Sequence, residues 1–293
     1  MYDVIIIGKG PAGISASLYL KRANLSVLII GKDRGALEKA KTIENYYGLT
    51  GKGKEISEIG IHQAETLKIP IKSEEVVSIS LDNDFEVETT SKEKYRAKAV
   101  LLATGINRAV PAIKGLKEFE GKGVSYCAIC DGFLYRGQDV AVLGSGDYAI
   151  HEAQELANIA NSVTILTNGR ENEKIERLKE NNLNIKIEQK AIREFEGEKN
   201  ISKVKFTDDT EIQVKGIFVA EGVATSVDFA RKLGAKIEQN KIIVNSQMKT
   251  NVPGLYAAGD CTGGLLQIST AVAEGAIAGT EIIKFIRKSK EEK

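Results

Sequence analysis

Cys127-Ala128-Ile129-Cys130-Asp131 sets two thiols three positions apart with a carboxylate beside them. That spacing lets two sulfurs close a small disulfide ring, and a helix start beneath it favours the thiolate, the species that attacks another disulfide. The chain has 2 histidines, His62 and His151, and neither adjoins the motif, so a carboxylate must move the proton. The competing chemistry for a CxxC is half of a zinc site. It needs two further ligands, and only Cys261 and the distant histidines are on offer, with no second CxxC. Cys261 reads as a small apolar residue.

The dithiol lies between two glycine-rich signatures, Gly8-Lys9-Gly10-Pro11-Ala12-Gly13 and Gly144-Ser145-Gly146-Asp147-Tyr148-Ala149. Val4–Ile7 is an apolar run ending in glycine, a helical pattern covers Ala12 to about Ala23, and Val27–Ile30 is a second buried strand. That is a βαβ unit of a parallel sheet. The plan recurs as strand Asp139–Leu143, turn Gly144–Ala149, helix Ile150–Ile159 and strand Val163–Leu166. Ala99–Ala103 with Thr104-Gly105, and Gly254–Asp260 followed by a small-residue helix over Ile268–Arg287, complete the first plan, while Ser73–Thr89 and Ile201–Val214 alternate as antiparallel meanders do. The expected fold is α/β, two doubly wound Rossmann-like domains with the second inserted into the first. Their expected limits are 1–110 with 226–293, and 114–222, with hinges near Pro111–Gly115 and Gly222–Ser226.

The chain has 293 residues, 42% hydrophobic and 28% charged, enough for about two domains and a core that needs no disulfide staples. A net charge of +1 gives no polyelectrolyte signal for nucleic acid or membrane. No signal peptide is read at Met1 and no apolar run nears a membrane span, so a reducing cytoplasmic compartment and a working dithiol are expected. Arg287–Lys293 reads as a frayed tail.

In the first signature each glycine has a job. Gly8 allows the tight turn, Gly10 lets the backbone approach a pyrophosphate, and Gly13 lets helix and strand pack closely. The pyrophosphate then sits on the helix N-terminus. The usual acidic residue after the second strand is missing, because Gly31-Lys32-Asp33 stands there and Asp33 is a poor geometric substitute.

These segments, with Glu44–Gly48, Ala103-Thr104-Gly105, Cys127–Gly132 and Pro253–Asp260 with Gln267, make the chain resemble the low-molecular-weight thioredoxin reductases along nearly its whole length. The resemblance implies FAD as cofactor, a homodimer, and thioredoxin as partner. It implies that Gly8, Gly10, Pro11, Ala12 and Gly13 hold the FAD pyrophosphate and that the loop with Gly31, Lys32 and Ala36 lies along the adenosine. Ala103, Thr104, Gly105 and Gly259 border the cofactor, Asp260 takes the ribityl chain, and Asn45, Gln267 and Ile268 lie near the flavin ring. It also implies that Cys130 faces the flavin, that Cys127 attacks the partner disulfide, and that Asp131 is the acid–base group. The stretches Gly31–Asn45 and Asp260–Gln267 are each one residue short of the family pattern, and Leu266 replaces an arginine.

The second signature departs further. Tyr148 puts a bulky ring where the family has Ser or Thr and where amide groups should meet phosphate. Thr167-Asn168-Gly169-Arg170 replaces the family's His-Arg-Arg and following Arg, leaving one displaced arginine with Glu171 and Glu173 close by. Gly222-Val223-Ala224-Thr225, preceded by Glu221, replaces a Gly-x-x-Pro turn. Losing two charge-assisted phosphate contacts at ~1.5–3 kcal/mol each weakens NADPH binding by orders of magnitude. NADH lacks the 2′-phosphate, but the chain offers no acidic residue placed to take its ribose 2′-hydroxyl, Asn168 being the nearest candidate. The pattern is similar to the ferredoxin-linked, pyridine-nucleotide-independent branch of the family, which makes ferredoxin the expected electron donor. An NAD(P)H-dependent thioredoxin reductase with an atypical site and a flavin/dithiol redox sensor stay open as alternatives.

Overall fold

The computed structural model describes every residue except 34, 106–110, 176–177, 179–183 and 292–293. The expected domain limit at 110 and the last two residues of the tail fall outside the described residues. The chain divides into two compact units, Met1–Asn107 with Thr225–Lys293, and Arg108–Ala224.

The first unit opens with β1 (Tyr2–Ile7), α1 (Pro11–Arg22) and β2 (Val27–Ile30). Short strands β3 (Ile43–Tyr46) and β4 (Leu49–Gly51), helix α2 (Gly53–Thr66), and β5 (Ile71–Lys72) follow. The meander β6 (Val76–Leu81), β7 (Phe85–Thr89), β8 (Lys94–Leu102) closes this half. β8 is longer than the apolar run alone predicts, because its polar start pairs antiparallel with β7 while its apolar end pairs parallel with β1.

The second unit contains β9 (Val124–Ser125), α3 (Ala128–Asp131), β10 (Asp139–Leu143), α4 (Asp147–Ala157), β11 (Ser162–Leu166) and β12 (Ile185–Glu188). A three-stranded antiparallel sheet of β13 (Ile192–Gly197), β14 (Ile201–Phe206) and β15 (Glu211–Gln213) precedes β16 (Gly216–Val219). The parallel sheet has the order β12-β11-β10-β16-β9. α4 starts at Asp147, not at Ile150 as the sequence implied, because the glycine run ends at Gly146 and an aspartate suits a first helical turn.

The chain returns to the first unit through α5 (Ser226–Lys232), the hairpin β17 (Ile237–Glu238) and β18 (Lys241–Ile242), β19 (Leu255–Ala257) and α6 (Ile268–Glu291). β19 adds parallel to β8 in the sheet β5-β2-β1-β8-β7-β6. α6 runs to Glu291, past the expected end at Arg287, since the lysines and glutamate that follow are good helix formers. Its small residues have a packing cause: a Cβ on Gly275 would lie 2.2 Å from the Ala12 carbonyl oxygen of α1. Among the described residues no helix is long and apolar enough to cross a membrane.

Candidate functional site

In the first unit, Gly8 has φ +115° and a Cβ there would lie 2.2 Å from the Ala103 carbonyl oxygen; at Gly13 it would lie 2.1 Å from the Gly8 carbonyl oxygen. These two glycines let three chain segments cross. Gly10 differs, since a Cβ there meets nothing within 4 Å. Gly10 caps α1 without a side-chain hydrogen bond, and Pro11 stands in the first turn, where its missing N–H is not needed. Open space before an uncapped helix start fits a dinucleotide pyrophosphate.

The remaining expected contacts gather in the same unit. Asn45 Nδ2 donates to Gln267 Oε1 at 3.0 Å, joining residues 222 positions apart. Ile268 begins α6 directly after Gln267, and Leu266, in the arginine's place, is exposed. Asp260 follows Gly259 in a short turn, and burial raises its carboxyl pKa. Glu274 of α6 fixes this turn by accepting from the Gly259 amide at 2.7 Å and the Thr262 hydroxyl at 3.0 Å. Thr104 Oγ1 lies 2.8 Å from Ser226 Oγ, and Gly105 follows at φ +72°. Lys32 pairs at 2.8 Å with Glu75, a buried carboxylate placed beyond β5, the neighbour of β2. Lys9 Nζ donates to Ser73 Oγ at 2.8 Å. Gly31 abuts Lys9, Asp33 accepts from the Gly35 amide, and Ala36 opens a 3-10 turn. Glu75 and Glu274 escaped the sequence reading, which had no signal to separate them from the many surface glutamates.

Cys261 is fully buried and its thiol pKa is pushed up to about 12, chiefly by burial. At pH 8 it holds almost no thiolate, so a few minutes of iodoacetamide on reduced folded protein is expected to modify the half-buried Cys130 first and to spare Cys261. Peptide mass spectrometry reads this directly, and rapid labelling of Cys261 would contradict the packing described.

In the second unit Cys127 and Cys130 form a disulfide with Cα atoms 5.3 Å apart. Cys127 is the residue before α3, and its sulfur accepts from the Cys130 amide at 3.2 Å. Cys127 is buried and Cys130 half-buried. Ser125 connects the dithiol to the carboxylate: its hydroxyl donates to Asp131 Oδ2 at 2.6 Å and accepts from the Cys127 amide at 3.1 Å. Burial, then the nearby Asp131 charge, raises the Tyr135 phenol pKa. Glu152 of α4, another carboxylate the sequence did not single out, is buried and accepts from the Ala128 amide at 3.0 Å. Among the described residues no group of His, Cys, Asp and Glu is placed to hold a metal ion.

The second glycine loop follows β10. A Cβ on Gly144 would lie 2.2 Å from the Ala220 carbonyl oxygen, the counterpart of the Gly8 crossing. At Gly146, the counterpart of Gly10, the space is narrower: a Cβ would lie 3.0 Å from the Gly222 carbonyl oxygen. The Tyr148 ring, in the first turn of α4, is fully buried. Asn168 Oδ1 accepts from the Ile192 amide at 2.8 Å, so that acceptor is already engaged. Arg170 pairs with Glu221, not with Glu171 or Glu173. Asn172 Nδ2 donates to the Ser145 carbonyl at 2.6 Å, and Lys174 Nζ pairs with Asp147 at 2.8 Å.

The family profile for pyridine nucleotide-disulphide oxidoreductases matches residues 2–275. A thioredoxin reductase of Aquifex aeolicus (strain VF5) is 34% identical over 307 residues, covering 99% of this chain and 95% of that protein. The crystal structure of an atypical thioredoxin reductase from Desulfovibrio vulgaris Hildenborough has 38% identity and a TM-score of 0.92, covering 98% of this chain and 99% of that one. A ferredoxin-flavin thioredoxin reductase from Clostridium acetobutylicum has 32% identity and a TM-score of 0.71, covering 98% of each chain. The fold is the FAD/NAD(P)-binding Rossmann-like fold of these structures, and FAD is the cofactor. The chain belongs to the pyridine nucleotide-disulphide oxidoreductase family and, within it, to the thioredoxin reductases.

Proposed function

We propose that this protein is a thioredoxin-disulfide reductase fed by ferredoxin. The observation that carries the reductase reading is the Cys127–Cys130 disulfide, linked through Ser125 to Asp131, in a chain that matches thioredoxin reductases over almost its whole length. Gly8, Gly10, Pro11, Ala12 and Gly13 hold the pyrophosphate of FAD. Gly31, Lys32 and Ala36 line the adenosine, Gly259 and Asp260 the ribityl chain, and Asn45, Gln267 and Ile268 the ring, with Ala103, Thr104 and Gly105 closing the cradle. Bound there, FAD supplies the two electrons that reduce a disulfide. Reduced Cys127 attacks one sulfur of the partner disulfide, giving a mixed disulfide and one partner thiol. Cys130 then displaces the second partner thiol and the Cys127–Cys130 bond reforms. Asp131, through Ser125, moves the protons that these thiols lose and gain. Cys127 is 1% exposed, so its attack requires the surface around it to open.

Ferredoxin as donor is supported by the narrowed space at Gly146, the engaged Asn168 and the similarity to a ferredoxin-flavin enzyme. NAD(P)H as donor is as consistent with the relatives, and the second glycine loop favours it by keeping its fold. Anaerobic flavin absorbance decides between them. Mixing with reduced ferredoxin is expected to bleach the flavin, and NADPH or NADH to leave it oxidised; rapid bleaching by either nucleotide would establish the second reading.

A further inference from the structure

Arg170 follows β11 and Glu221 follows β16, and β10, which carries the Gly144–Gly146 loop, lies between those strands. Their ion pair therefore reaches across the glycine loop, over the crevice at the carboxyl ends of parallel strands where a doubly wound sheet takes its ligand. The Glu221 side chain is 4% exposed and that of Arg170 52% exposed. Glu221 Oε1 is buried with no hydrogen-bond partner, so Arg170 is the carboxylate's one cationic contact among the described residues. Asn172 on Ser145 and Lys174 on Asp147 fasten the same post-β11 segment to the loop. A carboxylate engaging the arginine nearest an anion cradle satisfies it as a ligand phosphate would.

We propose that Glu221 is a specificity-determining residue that excludes phosphorylated pyridine nucleotides, acting as a built-in substitute for the ligand's phosphate on Arg170. It neutralises the one arginine near the cradle among the described residues and adds a buried negative charge that repels a pyrophosphate. This rests on the donor reading above and gives it a physical cause. The excluded class is a dinucleotide phosphate; a dinucleotide without the 2′-phosphate is excluded less strongly, since it makes less use of Arg170.

The test uses oxidised FAD-loaded protein and the oxidised nucleotides, so that binding is read without electron transfer. Titration calorimetry with NADP⁺ is expected to show affinity at least about tenfold higher in Glu221→Gln than in the unmodified protein, the scale of one charge-assisted phosphate contact. The gain is expected to be smaller for NAD⁺, and for NADP⁺ to drop to that smaller level in Glu221→Gln/Arg170→Ala, where only the relief of pyrophosphate repulsion remains. Glu221→Ala is expected to show the same gain, which keeps the question open to decision if one variant loses its FAD absorbance. Unchanged NADP⁺ affinity in folded variants overturns the proposal and leaves the donor reading standing. A fall in NAD⁺ affinity overturns it too, by making Glu221 a ribose ligand. Flavin bleaching by NADPH in the unmodified protein sinks the donor reading and this exclusion together, so the two failures are distinguishable.

Discussion

Cys127→Ser is expected to abolish thioredoxin reduction, by roughly three orders of magnitude or more, because the group removed forms the covalent bond to the partner. Reduction of the flavin by its donor is expected to continue, since no donor contact is lost. Cys130→Ser loses turnover equally but leaves Cys127 free to attack, so a stable mixed disulfide with thioredoxin should accumulate and be visible on a non-reducing gel. The pair of variants assigns the roles of the two sulfurs. If Cys127→Ser traps the partner and Cys130→Ser does not, the half-buried Cys130 is the attacking thiol and the assignment is reversed. Full thioredoxin reduction by Cys127→Ser would remove the dithiol from the mechanism.

The second large effect separates two glycines of one motif. Gly8→Ala combines φ +115° with a Cβ 2.2 Å from a backbone oxygen that cannot swing aside. Backbone strain and overpacking together come to roughly 2–6 kcal/mol, a large share of an ordinary domain's stability. Gly10→Ala meets nothing within 4 Å, so the apoprotein should melt where the parent does. Its methyl group stands instead in the space proposed for the pyrophosphate, and FAD affinity is expected to fall at least about tenfold. Thermal melts of apoproteins with flavin titrations read both. An unchanged FAD affinity in Gly10→Ala would move the pyrophosphate elsewhere.

Local periodicity made much of this legible. The apolar runs at Val4–Ile7 and Asp139–Leu143, each followed by a glycine loop and a helix, became the parallel strands β1 and β10 in separate sheets. The dithiol was legible because two cysteines at that spacing have few other uses. What stayed hidden was pairing over long distance. Arg170 and Glu221 are 51 positions apart, and only the strand order brings them together. Glu152 and Glu274 sit on helices that also carry surface acids, and their burial against backbone amides depends on which helix face meets the sheet. The end of α6 was set too early because the charged stretch after Arg287 reads as a tail, although its lysines and glutamate extend a helix readily.

Gly8 and Gly144 lie 2.2 Å, in Cβ terms, from the carbonyl oxygens of Ala103 and Ala220, each just past the end of the neighbouring strand. Neither clash involves a ligand. The first glycine of the fingerprint is therefore demanded by the crossing of two chains, and any sequence that keeps this crossing keeps the glycine whether or not a nucleotide ever arrives. The ligand's own demand falls on the second glycine, and on whether the air in front of it is free. Two loops that spell the same motif can thus differ in occupancy, and the difference is written in a neighbouring loop, at Gly222, that no search of the motif itself would reach.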